Sequence, residues 1–125
     1  MTNEALLAEA RRAMTMAYVP YSNFQVGAAL LTKSGKIYTG CNIENASYGA
    51  TNCAERTAIF KAVSEGERHY SKIAVVSSTG KATYPCGICR QVMAEFMPEG
   101  EVIFENGEEP LIVKVTDLLP YRFQL

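Results

Sequence analysis

The chain holds one histidine, His69, among its 125 residues. A Ser-His or Cys-His hydrolase would have to use it, yet it sits beside Glu67 and Arg68 in a polar stretch that reads as a solvated turn. Nor is there any cluster of Lys or Arg. The 12 basic and 13 acidic residues give a net charge of -1, without the basic face or track of a nucleic-acid binder. No apolar run exceeds strand length: Val26 to Leu31 is among the longest, far short of the roughly 20 residues that a membrane span needs. The start, Met1-Thr2-Asn3-Glu4, lacks the basic and apolar segments of a secretory leader. The expectation is a soluble cytoplasmic protein with no membrane partner, in which thiols stay reduced. Repeats, linkers and low-complexity segments are missing as well. With 48% apolar and 20% charged residues, an ordinary globular balance, residues 1–125 are expected to form a single domain.

The patterning that is present predicts nine elements. Asn3 is placed to cap a helix running to about Ala17, with Leu6, Leu7, Ala10, Ala13, Met14 and Ala17 on one face. A hairpin should follow, Gln25 to Thr32 and Lys36 to Asn42, around Lys33-Ser34-Gly35. Residues 45–51 read as loop, and Asn52 as the cap of a helix from Cys53 to Ser64 that Gly66 closes. Lys72 to Ser78 reads as a buried strand, and Pro85 leads into a helix from Cys86 to Met97. Strands at Glu101 to Glu105 and Leu111 to Val115 flank an Asn106-Gly107 turn, and a short turn begins at Thr116 or Asp117. The order α-β-β-α-β-α-β-β-α predicts an α/β protein, a three-layer α/β/α sandwich on a mixed five-stranded sheet.

The four cysteines are better explained as ligands or core residues than as disulfides in a reducing compartment. Cys53-Ala54-Glu55 is followed about thirty positions on by Pro85-Cys86-Gly87-Ile88-Cys89. Both motifs fall at predicted helix N-termini, where free amides and the helix dipole favour thiolates. Three thiols supply three corners of a zinc tetrahedron and leave the fourth to water. Alone, Cys86-Gly87-Ile88-Cys89 also suits a redox pair or half of a structural zinc site. The redox alternative leaves Cys53 and Glu55 unexplained. A closed site would need Cys41, which lies in a predicted strand and is expected as a small core residue. Glu55 by itself would be a solvated helix residue, but two positions beyond a ligand it is placed to take a proton from the water. Arg56, three residues after Cys53 on one helix, either reaches back to offset the thiolate charge or is a surface side chain.

These motifs resemble the signature of zinc deaminases, Cys-x-Glu with Pro-Cys-x-x-Cys. From Ala17 to about Leu119 the chain is similar, more specifically, to the small zinc-dependent cytidine deaminases. The likeness rests on Pro20-Tyr21-Ser22-Asn23-Phe24-Gln25-Val26-Gly27-Ala28-Ala29, Gly40-Cys41-Asn42-Ile43-Glu44-Asn45-Ala46-Ser47-Tyr48-Gly49, Cys53-Ala54-Glu55-Arg56 and Pro85-Cys86-Gly87-Ile88-Cys89-Arg90-Gln91. The resemblance implies that fold and one Zn2+ per subunit on Cys53, Cys86 and Cys89, with Glu55 as the proton shuttle. It implies that Asn42 and Glu44 hold the ribose, whose hydroxyls an amide and a carboxylate one strand period apart would suit. Strand-end turn chemistry is the plainer account of those two residues. It further implies Phe24 as a wall beside the nucleoside, Ala54 and Tyr48 as substrate contacts, and Arg56 and Gln91 behind the first ring of residues. The partners implied are a nucleoside and three further copies, in a homotetramer with shared sites. The implied reaction is deamination of cytidine and deoxycytidine in pyrimidine salvage, a blasticidin-type nucleoside being the rival substrate. Two departures stand out. Ile88 occupies a place where the family often has a small residue, which would tighten packing, and the tail ends at Leu125, so that Phe123, or else Tyr121, is the aromatic that would reach a neighbouring site.

Overall fold

The computed structural model describes residues 1–125, and its elements come in the expected order. Helix α1 (Asn3–Met14) is capped by Thr2, whose hydroxyl accepts from the Ala5 N–H at 3.1 Å. Asn3, expected as the cap, is the first helical residue instead, and its side-chain oxygen accepts from Lys72 Nζ at 2.5 Å. The helix stops three residues short of Ala17. There the chain tightens into i→i−3 bonds, Met16 N–H to Ala13 O and Ala17 N–H to Met14 O, and the Thr15 hydroxyl folds back onto Arg12 O. Strands β1 (Val26–Thr32) and β2 (Ile37–Cys41) form the hairpin, turned at Gly35, whose φ of +93° is open to glycine without a Cβ clash. A single 3-10 turn, Tyr48–Ala50, breaks the loop before helix α2 (Ala54–Ser64). Then follow β3 (Tyr70–Ser77), α3 (Gly87–Phe96), β4 (Glu101–Phe104), β5 (Leu111–Lys114) and the one-turn α4 (Val115–Leu118).

The sheet order is β2-β1-β3-β4-β5, with β1 antiparallel to both neighbours, β3 parallel to β4, and β4 antiparallel to β5. A parallel pair needs a crossover, and α3 supplies it. Side chains alternate between two cores. Ala28, Leu30, Ile73, Val75, Val102 and Phe104 pack on one face with Ala58, Ile59 and Ala62 of α2 and Met93 of α3. Ala29, Leu31, Ala74, Val76 and Ile103 pack on the other with Leu6, Leu7 and Ala10 of α1. The result is the α/β architecture with a mixed five-stranded sheet and helices on both faces. Burying a leucine contributes roughly 1.5–3 kcal/mol, so Leu6 and Leu7 alone can hold a helix that is marginal by itself at this length.

Two strand glycines set the spacing of those layers. A Cβ on Gly27 would lie 2.1 Å from Ala10 O, and one on Gly40 would lie 2.4 Å from Ala54 O and 2.6 Å from Ala58 N. These are backbone atoms, so no side-chain rotation relieves the clash. Gly40→Ala must therefore push the first turn of α2 off the sheet. Overpacking of this kind costs about 1–3 kcal/mol or more. The expected result is a lower urea midpoint together with weaker metal retention, because that turn follows directly on Cys53. Wild-type values for both would show that Gly40 does not set the α2 position.

Candidate metal centre and active site

Cys53 and Cys86 occupy the N-cap positions of α2 and α3, and Cys89 lies in the first turn of α3. Asn52, expected to cap α2, instead donates its amide to Thr57 Oγ1 at 3.0 Å. Neither cysteine makes a side-chain cap bond. The sulfurs of Cys53, Cys86 and Cys89 all lie within 4.8 Å of one another, and the Cys53 and Cys86 sulfurs are 3.8 Å apart. Zn–S bonds of about 2.3 Å put neighbouring sulfurs of a tetrahedron at about 3.8 Å, so the trio fits zinc. Cys41 stands outside it. It is half-buried at the end of β2, not a core residue, since the inward positions of that strand are Tyr38 and Gly40; burial raises its thiol pKa.

Electrostatics at the trio point the same way. The Cys53 thiol is pulled down to about 5, chiefly by its hydrogen bond with Cys89 and further by Arg56, while Cys89 is held up by that same bond and by burial. Three thiolates at this spacing repel, so the cluster favours a cation that would offset their charge. Arg56 does reach back: its Nη2 donates to Cys53 Sγ at 3.3 Å. Its Nε is buried without a partner. Arg56→Gln leaves the ligand set over-charged, which weakens the acidity that a bound metal confers. Turnover should fall and the acidic limb of the pH–rate profile should move to higher pH. An unchanged profile and kcat would make Arg56 a bystander.

Glu55 is 5% exposed, the reverse of what a lone helix glutamate does. Burial is the main cause that pushes its carboxyl up to about 7, and the Cys53 charge adds to it; its own amide and Arg56 pull the other way. A carboxyl poised at neutral pH can both take and return a proton. Ala54, just before it, is fully buried, and Pro85 is buried beside Cys86.

The segment before β1 is stitched to the exit of β2 by two side chains. Asn42 Oδ1 accepts from Val26 N–H at 2.9 Å, and its Nδ2 donates to Phe24 O at 2.7 Å. Glu44 Oε1 accepts from the Tyr21 and Ser22 amides at 2.9 and 3.1 Å, while Oε2 accepts from the Ser22 hydroxyl. That hydroxyl is the main cause holding the Glu44 carboxyl below its usual range. Tyr21 and Tyr48 meet edge to face with centroids 5.7 Å apart. Tyr21, Ser22, Glu44, Tyr48 and Thr51 line an open depression of about 360 Å³. Phe24 is partly exposed, and the chain turns at Asn23 with φ of +58°.

Other expected residues sit apart. Gln91 donates to Phe123 O at 3.5 Å, and its hydrogen bond thus goes to the tail; two positions beyond Cys89, it leaves the helix in a different direction. Phe123 is 69% exposed and lines another depression, of about 330 Å³, with Gln91, Glu95 and Arg122. Tyr121 is fully exposed, His69 is exposed, and Ile88 is 61% exposed, so it tightens no packing within the chain. Arg90 was not singled out by sequence, since a helix arginine reads as solvated. Its Nε donates to Pro85 O at 2.8 Å and its Nη1 to Leu118 O at 3.0 Å, tying the approach to Cys86 to the end of α4.

The model of the cytidine and deoxycytidylate deaminase zinc-binding region matches residues 1–105. A cytidine deaminase of Halalkalibacterium halodurans is 54% identical over 125 residues, which cover 98% of this chain and 95% of that protein. One from Mycobacterium tuberculosis is 42% identical over 120 residues, or 96% of this chain and 88% of that one. The crystal structure of cytidine deaminase from Burkholderia pseudomallei superposes with a TM-score of 0.93 at 50% identity, covering 98% of this chain and all of that one. The thiol trio beside a buried carboxylate, and the likeness along nearly the whole chain, give one result: this chain belongs to the zinc-dependent cytidine and deoxycytidylate deaminase family.

Proposed function

We propose that the chain, as one unit of residues 1–125, hydrolytically deaminates cytidine and deoxycytidine to uridine and deoxyuridine with release of ammonia, as a step of pyrimidine salvage in the cytoplasm. The observation that carries this reading is the buried Glu55 carboxyl, poised at about 7 beside three converging thiols. One zinc per subunit, held by Cys53, Cys86 and Cys89, would act as a Lewis acid that makes water a usable nucleophile near neutral pH. Glu55 takes the proton of the attacking water as its oxygen bonds to C4, and returns that proton to N3. It then moves a second proton from the C4 hydroxyl to the amino group. The C4–N bond breaks, the C4 carbonyl forms and ammonia leaves. Arg56 offsets the thiolate charge through its bond to Cys53. Glu44 and Asn42 bind the sugar hydroxyls, Phe24 and Tyr48 wall the nucleoside, and backbone groups at Ala54 and Pro85 read the base.

An ultraviolet assay on cytidine, with and without a zinc chelator and with blasticidin S alongside, tests this. Chelator-sensitive loss of cytidine absorbance is expected. Turnover of blasticidin S alone, or turnover indifferent to chelation, would overturn the reading. The site is further proposed to be shared within a homotetramer, Phe123 capping a neighbour's pocket; its 69% exposure in the tail, beside Gln91 and Glu95 of α3, supports that. Ring stacking on a base is worth ~1–3 kcal/mol, so Phe123→Ala should weaken binding or turnover about 5- to 150-fold. Co-assembling Glu55→Gln chains with Phe123→Ala chains should give activity above the sum of the parents. Simple additivity in verified mixed oligomers would remove the shared site.

A further inference from the structure

Ser22 belongs to no ligand set and touches no thiol, yet its hydroxyl links Glu44 to the Phe24 backbone. It donates to Glu44 Oε2 and accepts the Phe24 N–H at 3.0 Å, while its own amide donates to Glu44 Oε1 at 3.1 Å. A serine hydroxyl has a single proton to give, and here it goes to the carboxylate. A carboxylate offers about four acceptor positions. Two on Oε1 are filled by the Tyr21 and Ser22 amides, and one on Oε2 by the Ser22 hydroxyl. One position on Oε2 is left, in a residue that lines the open depression beside Tyr48 and Thr51. Without the hydroxyl, Oε2 would have two free positions, and the aim of the carboxylate would rest on the two amide bonds to Oε1 alone.

We infer that Ser22 is a positioning residue for the sugar-binding step: it aims the one free lone pair of Glu44 into the depression and ties that carboxylate to the Phe24 backbone. The inference rests on the proposed role of Glu44 toward the nucleoside sugar. It accounts for a link that runs between positions 22 residues apart, through a side chain exposed to solvent and therefore not needed for the core.

The test is a double-mutant cycle on cytidine turnover with zinc-loaded protein. Ser22→Ala should raise KM about tenfold, the worth of one charge-assisted hydrogen bond, while kcat stays within about twofold. Zinc content and Tm should stay at wild-type values, since the hydroxyl lies outside both cores. Ser22→Thr, which keeps the donor, should hold KM near wild type. Ser22→Cys, close in size but a weak donor, should behave like Ala. In a Glu44→Ala background, Ser22→Ala should add less than about twofold to KM, because the carboxylate through which it acts is gone. Full additivity in the cycle, a kcat loss as large as the KM change, or a wild-type KM in Ser22→Ala would each overturn the inference. If Glu44→Ala itself leaves KM unchanged, the sugar-binding role of Glu44 falls and takes the inference with it. A raised KM in Glu44→Ala beside a normal one in Ser22→Ala removes the role of Ser22 alone.

Discussion

Glu55→Gln is expected to keep fold and zinc while losing nearly all turnover of cytidine. Gln matches Glu in size, so a side chain that is 5% exposed can be replaced without opening a cavity. What disappears is the proton acceptor. General acid–base groups contribute roughly 10²–10⁴-fold each, and one that serves both the attack and the departure of ammonia belongs at the upper end. Retention of more than about a tenth of wild-type kcat would remove Glu55 from the mechanism. Stability gives an independent measurement. Burial raises the folded-state carboxyl from 4.5 to about 7, so unfolding releases a proton between those values. The stability linked to Glu55 is complete below pH 4.5 and is lost as pH rises toward 7, to the extent of ~3 kcal/mol in the metal-free protein. The difference in unfolding free energy between wild type and Glu55→Gln should follow that window, in the variant's favour at higher pH. A flat difference curve would mean that the carboxyl is solvated.

The cysteines should divide three against one. Cys53→Ala, Cys86→Ala and Cys89→Ala each remove a corner of the tetrahedron and should lose bound zinc, and with it measurable deamination. Apparent zinc affinities of closed four-ligand sites correspond to about 10–16 kcal/mol, so the loss of one thiolate costs orders of magnitude in retention. Cys41→Ala should keep full zinc content and activity, because that thiol lies outside the cluster. Metal analysis after dialysis against a weak chelator separates the two groups. Zinc loss in a folded Cys41→Ala protein would mean a closed four-thiol site and no place for water.

The elements were legible because period-two and period-3.6 apolar patterns survive in the sequence, and because the glycines and prolines fall between them. The thiol trio was legible because its spacing is itself chemistry. Caps were not: Asn3 and Asn52 are good capping residues, but Thr2 and Cys53 take those places, which depends on how the chain enters each helix. Arg90 and Ser22 escaped notice for a related reason. The partners that give them their roles, Leu118 and Glu44, lie 28 and 22 positions away, so those bonds exist only once the fold is assembled. The spacing role of Gly40 was equally hidden, since it depends on the distance to α2 and not on any turn. The resemblance implies Gln91 behind the thiols, a place that no local pattern in the sequence marks; its amide donates to Phe123 O in the tail.

Cys53 and Cys86 are 33 positions apart, with all of β3 between them. An ion held by both closes that stretch into a ring, much as a disulfide would. By chain entropy a covalent link over a loop of this size is worth about 3–4 kcal/mol. Such a brace would join the starts of two helices that stand on one face of the sheet, so its removal would loosen the scaffold and the site together. Resistance to proteolysis and catalytic capacity should then follow one zinc titration curve.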